Sequence, residues 1–415
     1  MMGKGLKILK INKYYFIMGG SERYYFELTK VLKSRGHDVI PFAMKHPSNF
    51  DSEYSRYFVD QIEFNYGSPL QKLIKTPQIA GRIIYSLHSK TRLEQLIDAC
   101  KPDIAHLHMI DHQLSPSILH VLKKHDIPVV QTVHQYKLVC PNYRLYIAEK
   151  GQICEKCVKG SALHPIIEKC HKGSRFASTL IALESFTHRK MKIYDIIDKF
   201  HVPSGFMGKK LAEGGIPQDK IFNMFYTINL DDYPFSNVFD DYFIYYGRLS
   251  HEKGILTLLK AMDAFRSSRL LVVGDGPQRP ELEQYVAQNG LSNVKFMGNK
   301  SKDELKNLVS RAQFVVVPSE WYDNSPLVIY ESFSMGRPVI GADIGGISEL
   351  VDHEENGFLF IPGDVVDLKD KMNHLLHNPK LMRNFGRNGR DKAEREFSPD
   401  PHYEKMYQLY LDLMK

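Results

Sequence analysis

The chain has 415 residues, of which 43% are hydrophobic and 25% are charged. This length favours two domains over one, and the composition is typical of a soluble globular protein. Because no run of about 18 apolar residues occurs, we expect no transmembrane helix. The first residues alternate between basic and apolar and lack the continuous apolar core of a signal peptide. We therefore expect a cytoplasmic protein, peripheral at most to the inner face of a membrane.

The charge is distributed unevenly around a net value of +7. Residues 1–232 carry 33 Lys and Arg against 22 Asp and Glu, whereas residues 233–415 carry 22 against 26. A basic first half favours an anionic partner, such as a membrane surface, a phospholipid-linked substrate or a nucleic acid. The alternative is a surface that is rich in lysine and has no such partner.

Short apolar segments alternate with helical segments along the first half of the chain. The predicted strands are Leu6–Ile11, Asp38–Phe42, Asp103–His108 and Pro128–Thr132, and the predicted helices are Ser21–Ser34 and Pro116–His125. This alternation indicates a parallel sheet with helices on both faces. We therefore predict that residues 1–232 form an α/β, doubly wound, Rossmann-like domain.

The same alternation starts again near residue 243 and predicts a second domain of the same class. Its predicted strands are Phe243–Gly247, Leu270–Val273, Val294–Met297, Phe314–Val317 and Val339–Ile340. A polar stretch around Pro234 marks the boundary, so the second domain is assigned to residues 233–400. Residues 401–415 are predicted to form a final helix that packs back on the first domain.

Two segments of the first half do not fit a plain doubly wound sheet. Leu70–Cys100 is long, basic and amphipathic, which favours docking on an anionic membrane surface. A helix packed in the core has the same periodicity, so the pattern leaves both readings open. Residues 135–175 contain four of the five cysteines and little regular pattern, which is typical of an insert.

The most informative stretch follows the apolar run Phe314–Val317. Two carboxylates, Glu320 and Asp323, lie in the next loop, and a helix begins near Pro326, where a missing N–H costs least. Helix starts leave N–H groups free to bind phosphate, and here these groups belong to Ser325, Leu327 and Val328. Glu331 lies inside the same helix. Carboxylates beside a phosphate seat suit sugar hydroxyls, so the stretch indicates a nucleotide-sugar site.

Three other loops follow predicted strands and suit a diphosphate. Gly19 and Gly20 let backbone N–H groups approach phosphate closely. Arg248 and Lys253 add positive charge to a second loop, and Gly274 begins a tight turn in a third. Alone, the Gly19–Gly20 loop is weak evidence and the Arg248–Lys253 loop is more typical of a solvated basic surface, whereas the Gly274 turn fits an ordinary turn and a nucleotide contact equally well.

Taken together, these segments resemble glycosyltransferase family 4, a family of retaining enzymes with the GT-B fold, in which two Rossmann-like domains face each other. The resemblance rests on Gly19–Glu22, Gly247–Lys253, Gly274–Pro277, Asp323–Glu331, Asp343–Leu350 and Asn356–Leu359. It spans nearly the whole chain. The implied fold places the nucleotide-sugar on the second domain and the acceptor on the first.

The resemblance also implies roles for individual residues. Arg248 and Lys253 would hold the diphosphate, and Glu331 would hold the ribose hydroxyls. Asp323 would hold hydroxyls of the transferred sugar. The remaining implied donor contacts are the segment Asn324, Ser325, Pro326 and Leu327, the turn at Gly274, and Gly19 and Gly20, which would close on the donor from the first domain.

Catalysis in this family needs no metal, and its favoured mechanism is front-face attack by the acceptor without an enzyme nucleophile. His134 lies where the family often has a histidine near the reacting carbon, and its neutral ring would accept from a sugar hydroxyl. The family usually has Glu where this chain has Asp323. Either Asp323 binds a different pattern of hydroxyls or Glu320 shares the role, so the donor sugar stays open.

Two other histidines, His106 and His108, alternate at the end of a predicted strand. We expect His106 to be buried with hydrogen-bond partners and His108 to line the cleft.

Four cysteines of the insert are spaced as in a metal site, namely Cys140, Cys154, Cys157 and Cys170. Four thiolates in a short irregular segment fit a closed tetrahedral zinc site, and a cytoplasmic enzyme does not keep two disulfides. Free thiols, a redox pair and an iron–sulfur cluster are the alternatives. We predict a structural zinc ion that holds a loop near the acceptor, whereas Cys100 is expected to be a packed thiol.

We therefore predict a retaining hexosyltransferase that uses a UDP- or GDP-sugar donor. Its acceptor is predicted to be a saccharide linked to a lipid. Such an enzyme would serve the synthesis of a cell-surface polysaccharide or glycolipid. The alternatives are an epimerase, which needs no acceptor, and a phosphorylase, which needs inorganic phosphate. A nucleic-acid-binding protein is disfavoured because the basic charge is dispersed and lacks an arginine-rich run.

Overall fold

Two parallel six-stranded sheets, one in each half of the chain, organise the molecule. The computed structural model describes residues 5–62, 79–161 and 163–415. Within these ranges the strands of the first sheet end at residue 223, and those of the second begin at residue 243. The predicted class, α/β with two doubly wound domains, is confirmed.

The first sheet has the strand order β2-β1-β3-β4-β7-β8. Its strands are β1 Lys7–Ile11, β2 Asp38–Phe42, β3 Ile104–Leu107, β4 Val129–Thr132, β7 Lys199–Val202 and β8 Ile221–Asn223. The helices of this half are Gly20–Ser34, Leu87–Cys100, Ile118–Lys124, His164–Glu168, Arg175–Lys190 and Gly205–Glu213. The order reverses between β1 and β3, and such a reversal opens a ligand crevice at the carboxyl ends of the strands.

The second sheet has the strand order β11-β10-β9-β12-β13-β14. Its strands are β9 Phe243–Tyr246, β10 Leu270–Val273, β11 Val294–Gly298, β12 Val315–Val317, β13 Val339–Ala342 and β14 Gly357–Phe360. The helices are Ile255–Ala261, Arg279–Gln288, Lys302–Arg311, Leu327–Ser334, Ile347–Leu350, Val365–Leu376, Pro379–Lys392 and Pro399–Leu413. Here the order reverses between β9 and β12, which places a second crevice beside the Asp323–Glu331 segment.

Burial on both faces explains why the central strands are continuous apolar runs. Every residue of β9 and β12 is buried. The first sheet also buries polar residues, among them Lys10 in β1, whose Nζ donates to the Tyr25 carbonyl oxygen at 2.7 Å and to Thr29 Oγ1 at 3.0 Å. Because no carboxylate offsets its desolvation, burial lowers the pKa of Lys10 well below its usual value.

The chain crosses between the two domains twice. It leaves the first domain after β8 and returns through the π-helical turn Ala393–Phe397. The Phe397 carbonyl oxygen accepts from the Ile228 N–H at 2.9 Å and from Thr227 Oγ1 at 3.0 Å. Direct hydrogen bonds therefore join the outgoing and returning segments.

The final helix, Pro399–Leu413, contacts the first domain through aromatic and imidazole groups. Tyr403 OH lies 2.8 Å from His37 Nε2, and His402 Nε2 lies 3.1 Å from Tyr24 OH. The chain thus ends on the domain with which it begins.

Most predicted strands differ from the observed ones by one or two residues at their ends. Strands β7, β8 and β14 lie where no strand is predicted. They are short, and β7 carries Lys199 and His201, so no clean apolar run marks it.

The amphipathic segment Leu70–Cys100 is only partly described, since residues 70–78 lie outside the described residues. Its helix Leu87–Cys100 buries Leu93, Leu96 and Ile97 in the first domain. This face of the segment is therefore core, and the prediction that it docks on a membrane is wrong for this helix. Nowhere in the described ranges is a helix long and apolar enough to cross a membrane.

Candidate active site

The carboxyl ends of the two sheets meet across one cleft. Val133 follows β4 and Asn324 lies in the loop after β12, and Asn324 Nδ2 donates to the Val133 carbonyl oxygen at 3.1 Å. On the other side of this contact, a Cβ added to Gly20 would lie 3.6 Å from Leu327 Cδ1. The structure therefore brings the Gly19–Gly20 loop against the helix start, as the sequence pattern suggests.

Asp323 and Lys253 form a charged pair inside this cleft. Lys253 Nζ lies 2.6 Å from Asp323 Oδ2, which also accepts from Ser319 Oγ at 2.8 Å. The ammonium stands 5.5 Å from the centre of the Trp321 ring. Because a charge-assisted hydrogen bond fixes both groups, a negative and a positive group are presented side by side at a defined position.

The helix that follows begins beside Pro326, as predicted. Pro326 is its N-cap with ψ 117°, and Leu327 is the first helical residue. The first-turn N–H groups of Leu327 and Val328 have no intrahelical acceptor and carry the positive end of the helix dipole. Ser325 Oγ lies 2.6 Å from Tyr330 OH, which holds the loop against the helix. The arrangement can seat a phosphate oxygen.

Glu331 is buried one turn further along. Its Oε1 accepts from Arg23 at 2.7 Å and from Tyr233 OH at 3.2 Å. Burial raises the pKa of Glu331, while the Arg23 guanidinium opposes that rise. Arg23 belongs to the first domain, so a charged pair crosses the cleft here, and the sequence pattern assigned no role to Arg23.

The predicted loop residues have different surroundings. The Arg248 side chain is exposed, as a diphosphate-binding guanidinium needs to be. Gly274 has φ +127°, and a Cβ there would lie 1.9 Å from the Gly247 carbonyl oxygen. Backbone packing against the Gly247 loop therefore requires this glycine. Glu320 accepts from Thr257 Oγ1 at 2.5 Å, which ties its carboxylate to the helix Ile255–Ala261.

His134 lies at the carboxyl end of β4 with both ring nitrogens engaged. Nδ1 lies 2.7 Å from Tyr226 OH, and Nε2 lies 3.0 Å from His108 Nδ1. Burial lowers the pKa of His134 to about 3, so the ring is neutral. A neutral ring satisfies both contacts, but neither nitrogen is then free to accept from a sugar hydroxyl in this arrangement.

The neighbouring histidines are buried. His106 Nδ1 lies 2.5 Å from Tyr410 OH and Nε2 lies 2.7 Å from Thr132 Oγ1, which confirms that His106 is a satisfied core residue. His108 is only 1% exposed, so the prediction that it lines the cleft is wrong. It stacks instead between the rings of His106 and His134.

A second contact across the cleft involves Glu349, which the sequence reading did not single out. Its carboxylate accepts from the backbone N–H groups of Gly205 at 2.7 Å and Phe206 at 2.6 Å. These N–H groups begin the helix Gly205–Glu213, so a carboxylate of the second domain caps a helix of the first. The position of Glu349 within the motif Asp343–Leu350 is a signal that could have been used.

The insert brings all four of its cysteines to one small cavity. Cys140, Cys154, Cys157 and Cys170 line it together with His164, and none forms a disulfide. Burial raises the pKa of Cys140, while backbone N–H groups of Leu145, Asn142 and Arg144 near its sulfur oppose that rise. Within the described ranges, however, no three His, Cys, Asp or Glu residues are arranged so as to hold a metal ion.

The insert also reaches the second domain. It contains a short antiparallel hairpin, β5 Tyr146–Ile147 with β6 Gln152–Ile153. Just before this hairpin, Arg144 NH1 lies 3.8 Å from Glu252 Oε1 in the Arg248–Lys253 loop. The cysteine segment is therefore a neighbour of the Arg248–Lys253 loop.

Two doubly wound domains that face each other across such a cleft constitute the GT-B fold. Sucrose-phosphate synthase from Thermosynechococcus elongatus shares it with a TM-score of 0.71 and 22% identity over 98% of this chain and 99% of that one. Anabaena HepE in complex with UDP-glucose shares it with a TM-score of 0.65 and 18% identity over 98% and 100%.

Family models match both halves of the chain. Residues 18–222 match Glycosyltransferase Family 4, and residues 233–392 match Glycosyl transferases group 1. Together they span most of the sequence, and the chain belongs to this family of glycosyltransferases.

Individual relatives are distant. Sulfoquinovosyl transferase SQD2 of Arabidopsis thaliana is 34% identical over 155 residues, which are 37% of this chain and 30% of SQD2. The chain also covers less than half of the length of three further relatives. N-acetyl-alpha-D-glucosaminyl L-malate synthase of Bacillus anthracis is 23% identical over 408 residues, 97% of this chain and 96% of the relative.

Proposed function

We propose that this protein transfers a sugar from a nucleotide-sugar to a saccharide acceptor with retention of configuration. The proposal rests on three groups that lie in or beside the loop after β12 and the helix that follows it. They are the Lys253–Asp323 pair, the free N–H groups at Leu327 and the buried Glu331. These groups suit, in order, a sugar with its phosphate, a second phosphate and a ribose. Solved relatives support a nucleotide-sugar donor, since HepE binds UDP-glucose.

In this proposal the second domain stabilises the charge that develops on the leaving nucleotide. Arg248 and Lys253 neutralise the diphosphate, and the N–H groups of Leu327 and Val328 donate to its oxygens. Glu331 accepts from the ribose hydroxyls, and Asp323 accepts from hydroxyls of the sugar. Electrostatic stabilisation of this kind commonly provides the largest part of the rate enhancement.

The bond changes balance without an enzyme nucleophile. The acceptor hydroxyl oxygen bonds to the anomeric carbon from the face that the nucleotide leaves, while the bond from that carbon to the phosphate oxygen breaks. The hydroxyl proton passes to the departing phosphate. His134, held neutral between Tyr226 and His108, bounds the reacting carbon without adding charge. The role of His134 is thus positional.

Nucleotide binding tests the donor assignment directly. We expect thermal-shift screening with UDP, GDP and ADP and their sugars to find one base that stabilises the protein. Glu331→Ala should abolish that stabilisation, whereas the matched change Glu355→Ala, at an exposed acid of the same domain, should retain it. Equal nucleotide affinity in both variants would remove Glu331 from the site.

The acceptor is proposed to be a lipid-linked saccharide, in keeping with the basic first domain. Sugar release that depends on an added acceptor distinguishes transfer from epimerisation, which needs none. A reaction that requires inorganic phosphate would instead indicate a phosphorylase. Product from the transferase should keep the anomeric configuration of the donor, which NMR of the new linkage measures.

A structural zinc ion in the cysteine cavity remains a separate proposal. Burial raises the pKa of Cys157 and Cys170 to about 12, so these thiols stay protonated unless a cation replaces the proton. Burial also raises the pKa of Cys140, and the backbone N–H groups of Leu145, Asn142 and Arg144 oppose that rise. Because the thiols are not yet placed as ligands, binding has to draw them together. Metal analysis that finds less than about half an equivalent of any metal would exclude the ion.

A further inference from the structure

The helix Arg175–Lys190 buries several polar residues and exposes large apolar ones, which is the reverse of the usual pattern of a surface helix. The face that packs on the first domain contains polar and charged residues besides apolar ones, namely Ser178, Ile181, Ala182, Glu184, Ser185 and His188. The opposite face exposes Phe176, Leu183 and Phe186, at 68%, 50% and 58% of their surface. Spacings of seven and three residues place these three side chains on one side of the helix.

Neighbouring residues extend this apolar face. Leu163 and Ile167 belong to the short helical segment that contacts Arg175–Lys190, and they are 62% and 69% exposed. Met191 follows the helix and is 40% exposed. We call these six residues the docking surface: Leu163, Ile167, Phe176, Leu183, Phe186 and Met191. Large apolar side chains grouped on a surface mark a site of interaction with a partner or a membrane.

Basic side chains predominate around the docking surface, although the exposed acid Glu149 lies close to Gly173 in the same region. Among the described residues of the range 159–192, every exposed charged side chain is positive: Lys159, Lys169, Lys172, Arg175, Arg189, Lys190 and Lys192. The two acids of the range are occupied elsewhere. Glu184 is buried and pairs with Lys137 at 2.6 Å, and Glu168 pairs with Lys150 and Lys156.

We propose that the docking surface binds an anionic membrane, with the helix Arg175–Lys190 lying in the plane of the interface. Exposed phenylalanine and leucine side chains insert between lipid chains, and each basic residue near an anionic surface strengthens the binding. The alternative occupant is a protein partner with an apolar surface and a matching acidic rim. The predominance of basic residues along the two helices favours the extended negative charge of a lipid surface.

The inner face of the helix Arg175–Lys190 contacts the loop that follows β4, close to the cleft. Glu184 pairs with Lys137, which lies three residues after His134 at the carboxyl end of β4. A membrane bound at this helix therefore lies on the acceptor side of the first domain. This consequence rests on the proposed lipid-linked acceptor, whereas membrane binding itself does not.

Vesicle flotation tests the inference without any substrate. The full-length protein should float with vesicles of phosphatidylcholine containing phosphatidylglycerol, and much less with vesicles of phosphatidylcholine alone. High salt should weaken the binding because exposed charges are screened. The double variant Phe176→Glu and Phe186→Glu should lower the partition coefficient about tenfold or more, since both apolar insertions are lost.

The second domain provides a matched control. Ile361 and Val366 are exposed to 61% and 67%, so the double variant Ile361→Glu and Val366→Glu introduces the same charges away from the docking surface. It should float like the unchanged protein. Wild-type protein that does not bind anionic vesicles, or equal flotation of the two double variants, would overturn the proposal.

Two further measurements separate the other outcomes. If light scattering shows a dimer that the Phe176 and Phe186 changes dissociate while vesicle binding is unaltered, the surface joins two copies and the proposal is wrong. Nucleotide stabilisation should be unchanged in the variants, because the surface contains no donor-binding residue. Failure of the inference is thus distinguishable from failure of the proposed transferase function.

Discussion

The carboxyl edges of the two sheets carry opposite kinds of chemical group, although the sheets share one architecture. The second-domain edge holds ionised groups at fixed positions, with Lys253 beside Asp323 and Glu331 close by. The first-domain edge is built from histidines that burial keeps neutral, His106, His108 and His134. The two edges therefore differ in charge: the proposed donor site lies on the charged edge, whereas the neutral edge carries His134 with His106 and His108 buried behind it.

Acidification should lower the free energy of unfolding most, because it protonates the buried histidines of the first-domain edge in the unfolded chain. Burial lowers the pKa of His134 to about 3 and of His201 to about 4, and it also lowers the pKa of His106, His108 and His402. The unfolded chain therefore binds more protons below about pH 6.5, so stability falls as the pH falls toward the folded pKa values. Each group contributes about 1.4 kcal/mol per pH unit, and together they should cost several kcal/mol.

Urea unfolding at several pH values measures this loss. Glu331 acts in the opposite sense because burial raises its pKa, but one group does not offset five. A free energy of unfolding that stays constant between neutral pH and about pH 5 would show that these histidines titrate normally in the folded protein.

Removal of a charge from the second edge should affect catalysis more than stability. Lys253→Ala leaves Asp323 without its cation and removes a donor to the diphosphate. We expect kcat/KM to fall about a hundred- to a thousandfold. Lys371→Ala, at a partly exposed lysine of the same domain, is the control and should change little. Similar kinetics of the two variants would contradict a catalytic role for Lys253.

Loss of the carboxylate cap between the edges should have a smaller effect. Glu349→Gln keeps the shape of the side chain but removes the charge that caps the helix beginning at Gly205. We expect the closed arrangement to lose about 1 kcal/mol, seen as a severalfold rise in KM for the donor with little change in kcat. Glu354→Gln, at an exposed acid, should leave both constants unchanged.

The change Asp323→Glu introduces the residue that is usual in the family and should have the smallest effect. It tests the charged edge at a single carboxylate. Asp323→Glu extends the carboxylate by one methylene group toward the sugar and away from Lys253. We expect a severalfold change in the preference among donor sugars with the same base, measured as ratios of kcat/KM. Unchanged ratios would mean that Asp323 does not read the sugar.

Local patterns in the sequence were sufficient to predict the fold and the helix start beside Asp323. Apolar runs buried on both faces predict the central strands, and the helix start after Asp323 is visible from Pro326. Contacts across the cleft were not predictable, because Arg23 and Glu331, or Glu349 and Gly205, are far apart in the chain. The docking surface on Arg175–Lys190 was not predicted for a different reason. Helical periodicity shows that a helix has an apolar face, but not whether that face points to the core or to solvent.

The paired crossings between the domains restrict how the molecule can open. Two attachments define a line, and the hydrogen bonds from Ile228 and Thr227 to Phe397 keep them together. A motion that opens the cleft has to bend the chain at this junction, where the π-helical turn Ala393–Phe397 lies. The junction is therefore the place where substitutions far from the cleft would alter how the two domains meet.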